Sequence, residues 1–576
     1  MRARRPAVTA STKHVVVAAL TILVLGTVGA VQAGLAGRSF MLDLEQVQPA
    51  LAKVPPVVED ARTPRLSRRV FLVIVDGLRL DRSYELPFLD ELRRRGVDSE
   101  ASSHYPTWSR PNYVSILTGV PPSASGVRTN HHSTPVQLDT LMDRARAAGL
   151  SAASGTDYDV LPRLFLRPRA GASRIGIEVN IDEERDRDFV EDPAAIGAVR
   201  APDADLASPF DDARYAPWPG GFSEAGAALA AGHADLVVLL VGAVDAAGHG
   251  HGGDSLEYRI AAETADRALA RALGRVDLTQ DTILVTSDHG HTQHGGHGGL
   301  EPEVVTVPLI AAGAGIDASG VPRDARLIDI APTVSALLAI PSPGHGLGRT
   351  LTEMLLLPDA DDARRISADQ NRLTATRAIV DASEATAAIA VLEHRAARLT
   401  LVFFGALFAV VLAVGLIRRR VLRLDLKILL VTVPAFFVVY FALIGTLGQR
   451  FSPSLVPAQG HLAGALLRYG AVGTVVQLFA NLWALRKQPT LGDRLAAANG
   501  IAWVGLMLAM IPAALTWAFF PPPYVSLPGP FWIVLIPALE VGVACAAMTF
   551  ALTLAVEVIV FAARAWQRER PPSIID

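Results

Sequence analysis

Hydrophobic and polar positions fall into three regimes along the chain. Near the start, Val15 to about Val31 is one continuous apolar run, preceded by Arg2, Arg4, Arg5 and Lys13. From Val70 onward the apolar residues come as short runs rich in β-branched side chains: Val70 to Val75 (VFLVIV), Asp235 to Val244 (DLVVLLVGAV) and Thr282 to Ser287 (TILVTS). Runs of this length and composition predict buried strands. Each leads into an aspartate, Asp76, Asp245 or Asp288. Ligands of open α/β sheets bind at that end of a strand. Beyond Leu399 the pattern changes again, to five long apolar stretches: Leu399 to Ile417, Ile428 to Leu447, Leu462 to Leu485, Ile501 to Phe520 and Phe531 to Ala563. Each is long enough to cross the hydrocarbon core of a bilayer. Asp359 to Ala397 alternates charge and alanine without glycine or proline, which predicts one or two helices leading into the second span.

Composition supports this division. With 51% hydrophobic residues the chain is too apolar for a purely soluble enzyme, and the excess lies toward its ends. The first run exceeds a signal-peptide core of roughly 7 to 15 residues, so an uncleaved anchor is expected. Basic residues alternate between the loops: Arg418, Arg419, Arg420, Arg423 and Lys427, then Arg450 alone, then Arg486, Lys487 and Arg494, then none, then Arg564, Arg568 and Arg570. By the positive-inside rule both termini are cytoplasmic and the intervening domain is extracytoplasmic.

The expected organisation is a cytoplasmic N-terminus (1–14), an anchor (15–33), a linker (34–66), a catalytic domain (67–358), a helical connector (359–398), a five-helix membrane block (399–563) and a cytoplasmic tail (564–576). Tyr158 to Gly232, polar and rich in aspartate and arginine, reads as an insertion or cap. Arg468, Glu540 and Glu557 lie inside apolar spans, where ionisable groups mark function or pair with one another; Arg468 and Glu540 are a candidate pair. A formal net charge of −3 and the lack of a basic stripe argue against nucleic acid as a partner.

The candidate chemistry surrounds the three aspartates. His249 follows Asp245 by four residues, with His251 beyond it, and Asp288 is followed by His289, His291, His294 and His297 in a glycine-rich stretch. Short histidine-rich tracts also occur as solvated loops. Carboxylates and imidazoles at one sheet edge nevertheless suit a borderline divalent cation such as zinc. Cysteine ligation is excluded, because the single cysteine, Cys545, lies in an apolar stretch far downstream. Thr107 and Ser109 precede a possible helix start near Pro111, where a hydroxyl would stand at an anion-binding helix N-terminus; a plain N-cap is the alternative role of Ser109.

Together, VDGLR (Asp76), PTWSRPNYVSILTG (Ser109), VDAAGH (Asp245, His249) and SDHGHTQHGGHGG (Asp288, His289, His297) resemble the alkaline phosphatase superfamily. The likeness is best to the type I phosphodiesterase/nucleotide pyrophosphatase branch and to the ethanolamine phosphate transferases of glycolipid-anchor synthesis. It covers about Val70 to Ile316 and implies an alkaline phosphatase-like three-layer α/β sandwich with a mainly parallel central sheet, joined here to α-helical transmembrane segments. It implies two divalent metal ions, zinc first with manganese or magnesium as alternatives. Asp76, Ser109, Asp288 and His289 match the ligands of one ion, and Asp245, His249 and His297 those of the other. It also implies Ser109 as nucleophile of a phospho-serine intermediate, and Asn130 as a donor to a nonbridging phosphate oxygen.

Two features bear on the branch. The diesterases usually carry Thr-Phe where this chain has Ser109-Arg110, a form shared with the anchor transferases, whereas sulfatases require an arginine where Tyr113 stands. The leading expectation is a membrane-bound phosphodiesterase acting on an extracytoplasmic phosphodiester or phospholipid-derived substrate. Phosphoethanolamine transfer to a membrane glycan or lipid is the alternative, and a transporter or scaffold carrying an inactive hydrolase domain is a third possibility.

Overall fold

The computed structural model describes residues 12–59, 63–156, 160–165, 215–217, 229–447, 451–455, 462–520, 524 and 526–569. Most of the Tyr158 to Gly232 segment, together with Arg2, Arg4, Arg5 and Arg450, lies outside the described residues. The strands are β1 (Val70–Val75), β2 (Gly96–Ser102), β3 (Ala152–Thr156), β4 (Tyr215–Pro217), β5 (Leu236–Val241), β6 (Thr282–Thr286) and β7 (Thr306–Gly313). They form one sheet in the order β2-β7-β6-β1-β5-β3-β4. The run from β6 to β4 is parallel, while β7 is antiparallel to both β6 and β2.

The unbroken apolar runs follow from burial of the sheet on both faces. In β1, Val70, Leu72 and Ile74 enter one core and Phe71, Val73 and Val75 the other. A parallel sheet covered on both sides permits no polar alternation. This is the mainly parallel α/β architecture expected from the sequence. Register matters for the site, because Val75 pairs with Val241 and Ile74 with Thr286. The carboxyl ends of β5, β1 and β6 therefore lie side by side.

The helices that build the site and the apolar block are α1 (Thr12–Leu44), α2 (Ser109–Thr118), α3 (Ala243–His251), α4 (Asp359–Arg418), α5 (Leu426–Leu447), α6 (Leu462–Leu485), α7 (Leu491–Phe519) and α8 (Pro530–Glu569). Two run further than hydrophobicity alone suggests. The first continues past the apolar run to Leu44, and connector and second span form one 60-residue helix, α4. Among the described residues, six helices are long and apolar enough to cross a membrane: α1 and α4 to α8.

Polar side chains inside this block lock helices together. Pro434 in α5 lacks an N–H and its ring disturbs the preceding turn. Gln477 of α6 enters there, accepting the Phe436 N–H at 2.8 Å and donating to the Thr432 carbonyl. Its amide thus stands where the regular Phe436-to-Thr432 backbone bond would run. Gln477 also donates to Asn481 at 2.6 Å, and Asn481 donates to Thr553 of α8 at 2.8 Å. The ionisable residues sort differently from the expected pair. Glu557 accepts from Nε and Nη2 of Arg494, the latter at 2.7 Å, whereas Arg468 is exposed and makes no ion pair with Glu540 among the described residues.

Replacing Gln477 by Leu leaves the Phe436 N–H and the Thr432 carbonyl without the amide that joins them. The expected result is a loss of about 1–2 kcal/mol, read as a lower unfolding temperature in detergent.

Candidate functional site

Three adjacent strands deliver three acids to one edge. Asp76 directly follows β1 and Asp288 lies two residues beyond β6. Asp245 arrives differently from its expected place at a strand end: β5 stops at Val241, and Asp245 lies in the first turn of α3. There Asp245 and His249, four residues apart, share a helix face. Close approach requires a glycine after the first acid, since a Cβ on Gly77 (φ +72°) would lie 2.9 Å from the Asp245 Cα.

The nucleophile candidate is set by α2, which begins at Ser109 itself, with Trp108 as its cap residue. The Ser109 hydroxyl lies 3.2 Å from His289 Nε2. Thr107, the other candidate hydroxyl, is already engaged: it donates to the Gly299 carbonyl at 3.0 Å and accepts the Gly298 N–H at 2.8 Å. Asn130 reaches the same helix start. Its Oδ1 accepts the Arg110 N–H at 3.0 Å, which assigns the amide orientation and turns its donor nitrogen away from that bond. The Arg110 N–H, one of the backbone donors beside Ser109, is committed to Asn130.

Ligating atoms gather in three groups, two of which share no residue. Asp76, Asp288 and His289 form one; Asp245, His249 and His297 form the other. In the first, His289 Nε2 lies 3.4 Å from Asp76 and 3.3 Å from Asp288. In the second, His249 and His297 approach each other at 3.0 Å, and lie 3.4 Å and 3.7 Å from Asp245. The His289 and His297 rings stack 3.7 Å apart, joining the groups. His251 and His294, the alternatives within each motif, are exposed.

The donor set fits divalent cations. A buried oxygen on each of Asp76 and Asp288 has no hydrogen-bond partner. Carbonyls only accept, so His289 donates from Nδ1 to Gly290 (3.2 Å) and His297 from Nδ1 to Thr107 (2.7 Å). Both Nε2 lone pairs are thereby left facing the acids, the usual second-sphere pattern of ligating histidines. Burial, with the neighbouring Asp288 and Asp245 charges, holds Asp76 well above the usual carboxylate range, and burial pushes Asp288 up to about 7. Burial likewise lowers His289 to about 3 and holds His297 well below its ordinary value. Neutral imidazoles beside carboxylates that resist ionisation together are a site that a cation would stabilise.

Two supporting residues escaped the motif reading. The Tyr113 hydroxyl donates to Asp76 Oδ2, leaving Oδ1 toward His289. His291 Nδ1 accepts the Gly296 N–H at 3.2 Å, so Nε2 carries the proton and donates to Asp245 at 2.7 Å. Although His291 could join Asp245 and His289 in a third group, this tautomer makes it an orienter of Asp245. The signals were present in the spacing: Tyr113 stands one helical turn after Ser109, and His291 two residues after His289.

Comparison with known proteins places this site in a family context. Residues 70–299, which include every residue above from Asp76 to Gly299, match the type I phosphodiesterase / nucleotide pyrophosphatase family. GPI ethanolamine phosphate transferase 1 from Homo sapiens is 25% identical over 319 residues, covering 50% of this chain and 32% of the human protein. The Yarrowia lipolytica protein of the same name is 28% identical over 271 residues, covering 44% and 27% respectively. The match thus spans about a third or less of these relatives' length. The murine ectonucleotide pyrophosphatase / phosphodiesterase 5 structure superposes with a TM-score of 0.35 at 15% identity, over 48% of this chain and 96% of that one. Over residues 70–299, the chain is thus similar to the type I phosphodiesterase / nucleotide pyrophosphatase family.

Proposed function

We propose that this protein is a membrane-spanning enzyme that cleaves an extracytoplasmic phosphodiester through a phospho-serine formed on Ser109. The observation that carries the reading is the Ser109 hydroxyl at a helix N-terminus, 3.2 Å from His289 and beside buried acids with unpartnered oxygens. Two divalent cations, zinc foremost, held by Asp76, Ser109, Asp288 and His289 and by Asp245, His249 and His297, would supply charge neutralisation at the attacking and leaving oxygens. The Ser109 hydroxyl releases its proton to solvent and its oxygen bonds to phosphorus while the P–O bond to the alcohol breaks, the departing alkoxide taking a proton from water. The Asn130 amide nitrogen donates to a nonbridging oxygen as charge shifts onto it. Tyr113 and His291 hold the Asp76 and Asp245 carboxylates in place.

The second half-reaction decides the class. Water as acceptor makes the enzyme a phosphodiesterase. An acceptor alcohol makes it a transferase, a second reading favoured by the names of the ethanolamine phosphate transferases it resembles. A bilayer-borne substrate is supported by the seam between domain and helices: Tyr105 donates to the Pro528 carbonyl at 2.6 Å, and Trp108 packs on the cluster of Phe40, Tyr524 and Ile533. Orientation is supported by the basic loops, which meet each other, Arg423 lying 3.3 Å from Asp493.

Ser109→Ala is expected to reduce hydrolysis of bis(p-nitrophenyl) phosphate about a thousandfold or more while metal content by elemental analysis stays near wild type. Chelation should abolish the activity and zinc restore it. His291→Ala should weaken cation retention roughly 10- to 100-fold, measured by competition with a chelator. With Cys545 replaced, a cysteine at exposed Ser319 should react with an impermeant maleimide on intact cells, and one at Arg486 only after permeabilisation.

A further inference from the structure

The helical block touches the site directly. Between α5 and α6 lie residues Phe451 to Leu455, and two serines there bond to the residues that follow His297. Ser454, fully buried, accepts the Gly299 N–H at 2.7 Å. Ser452 donates to the Glu301 carboxylate at 2.5 Å and accepts the Ser454 N–H at 3.3 Å. From the other side, Thr107 grips the same glycines through its hydroxyl, while its carbonyl accepts the His297 Nδ1–H. One hydrogen-bonded path therefore links Ser454, Gly299, Thr107 and His297, and Thr107 stands two residues before Ser109.

The segment is built for close fit. A Cβ on Gly299 would lie 2.5 Å and 2.7 Å from the Ser452 and Ser454 hydroxyls. Phe451 holds a left-handed backbone (φ +59°), unfavourable for a bulky residue, while its ring packs 5.6 Å from that of Phe531. Such strain persists only where surrounding contacts over-determine it, and it clusters at functional sites.

We infer that residues Phe451 to Leu455 are a positioning element of the metal site. Ser454 fixes the Gly298-Gly299 peptide through its N–H, Ser452 holds Ser454 and Glu301 on either side of that bond, and the peptide in turn sets the Thr107 side chain and, through the Thr107 carbonyl, the His297 ring. The helical block is thus a working part of the catalytic centre as well as its tether. The inference rests on the reading of His297 as a cation ligand and Ser109 as nucleophile.

The test uses the full chain in lipid nanodiscs, comparing Ser454→Ala, Ser454→Thr and the Ser452→Ala/Ser454→Ala double variant. Cation retention against a chelator and kcat and KM for bis(p-nitrophenyl) phosphate are measured together. The alanine variants should lose cation affinity roughly 10- to 100-fold and fall in kcat with KM little changed. Ser454→Thr, which keeps the acceptor oxygen, should stand closer to wild type in both. If the double variant does not fold, the Ser454 pair carries the comparison. Alanine variants equal to wild type, or a threonine variant no better than alanine, overturn the inference alone. A wild-type protein with neither retained cation nor Ser109-dependent turnover overturns the underlying reading as well.

Discussion

Three carboxylates share one buried edge of the sheet, and among the described residues none of them is paired with an arginine or lysine. Their surroundings divide each acid in two. Tyr113, His291 and the Gly77 N–H each donate to one oxygen, of Asp76, Asp245 and Asp288 respectively. The remaining oxygens of Asp76 and Asp288 are buried and unpartnered. Burying like charges without a counter-charge is strongly unfavourable, so the arrangement is one that divalent cations would complete. The flanking architecture serves this convergence: the paired ends of β5, β1 and β6, the glycine that lets Asp245 approach Asp76, and the helix that starts at Ser109.

Domain and helical block meet along the same edge. Besides the two serines, Arg128, just before Asn130, donates to the Tyr524 carbonyl at 2.6 Å, and its N–H donates at 2.9 Å to Glu45, the residue directly after α1. The long reach of α1, to Leu44, brings Phe40 and Leu44 against Ile533 and Val534 of α8 and toward Tyr105 and Trp108. A domain tethered only by linkers would leave these aromatic rings in water. Here Phe40 and Tyr524 are buried and Tyr105 and Trp108, which precede Ser109, are partly covered.

Much of the site was legible because its signals are local. An apolar run ending in aspartate states both a buried strand and the position of its acid, and Asp245 with His249 at a four-residue interval share a face in the helix that forms there. What stayed hidden involves partners far apart in sequence. The spacing puts Tyr113 on the Ser109 face of its helix but does not name Asp76 as the partner of its hydroxyl, and nothing near Gly299 indicates serines more than 150 residues downstream. The break of β5 at Val241 was also invisible, since an apolar run does not mark where a strand gives way to a helix.

By itself the sequence determined the kinds of element, the acids and imidazoles available, and the apolar stretches long enough to cross a membrane, because hydrophobic periodicity and local spacing act within a few residues. Only the tertiary structure decided which groups meet. It engaged the Thr107 hydroxyl with Gly298 and Gly299 while bringing the Ser109 hydroxyl to His289, turned His251 and His294 outward, and assigned His291 its proton through the Gly296 N–H. It also joined Glu557 to Arg494 and left Arg468 exposed. Hydrogen bonds and ion pairs require atoms within about 3 Å, and distances of that order between remote residues exist only once the chain has folded.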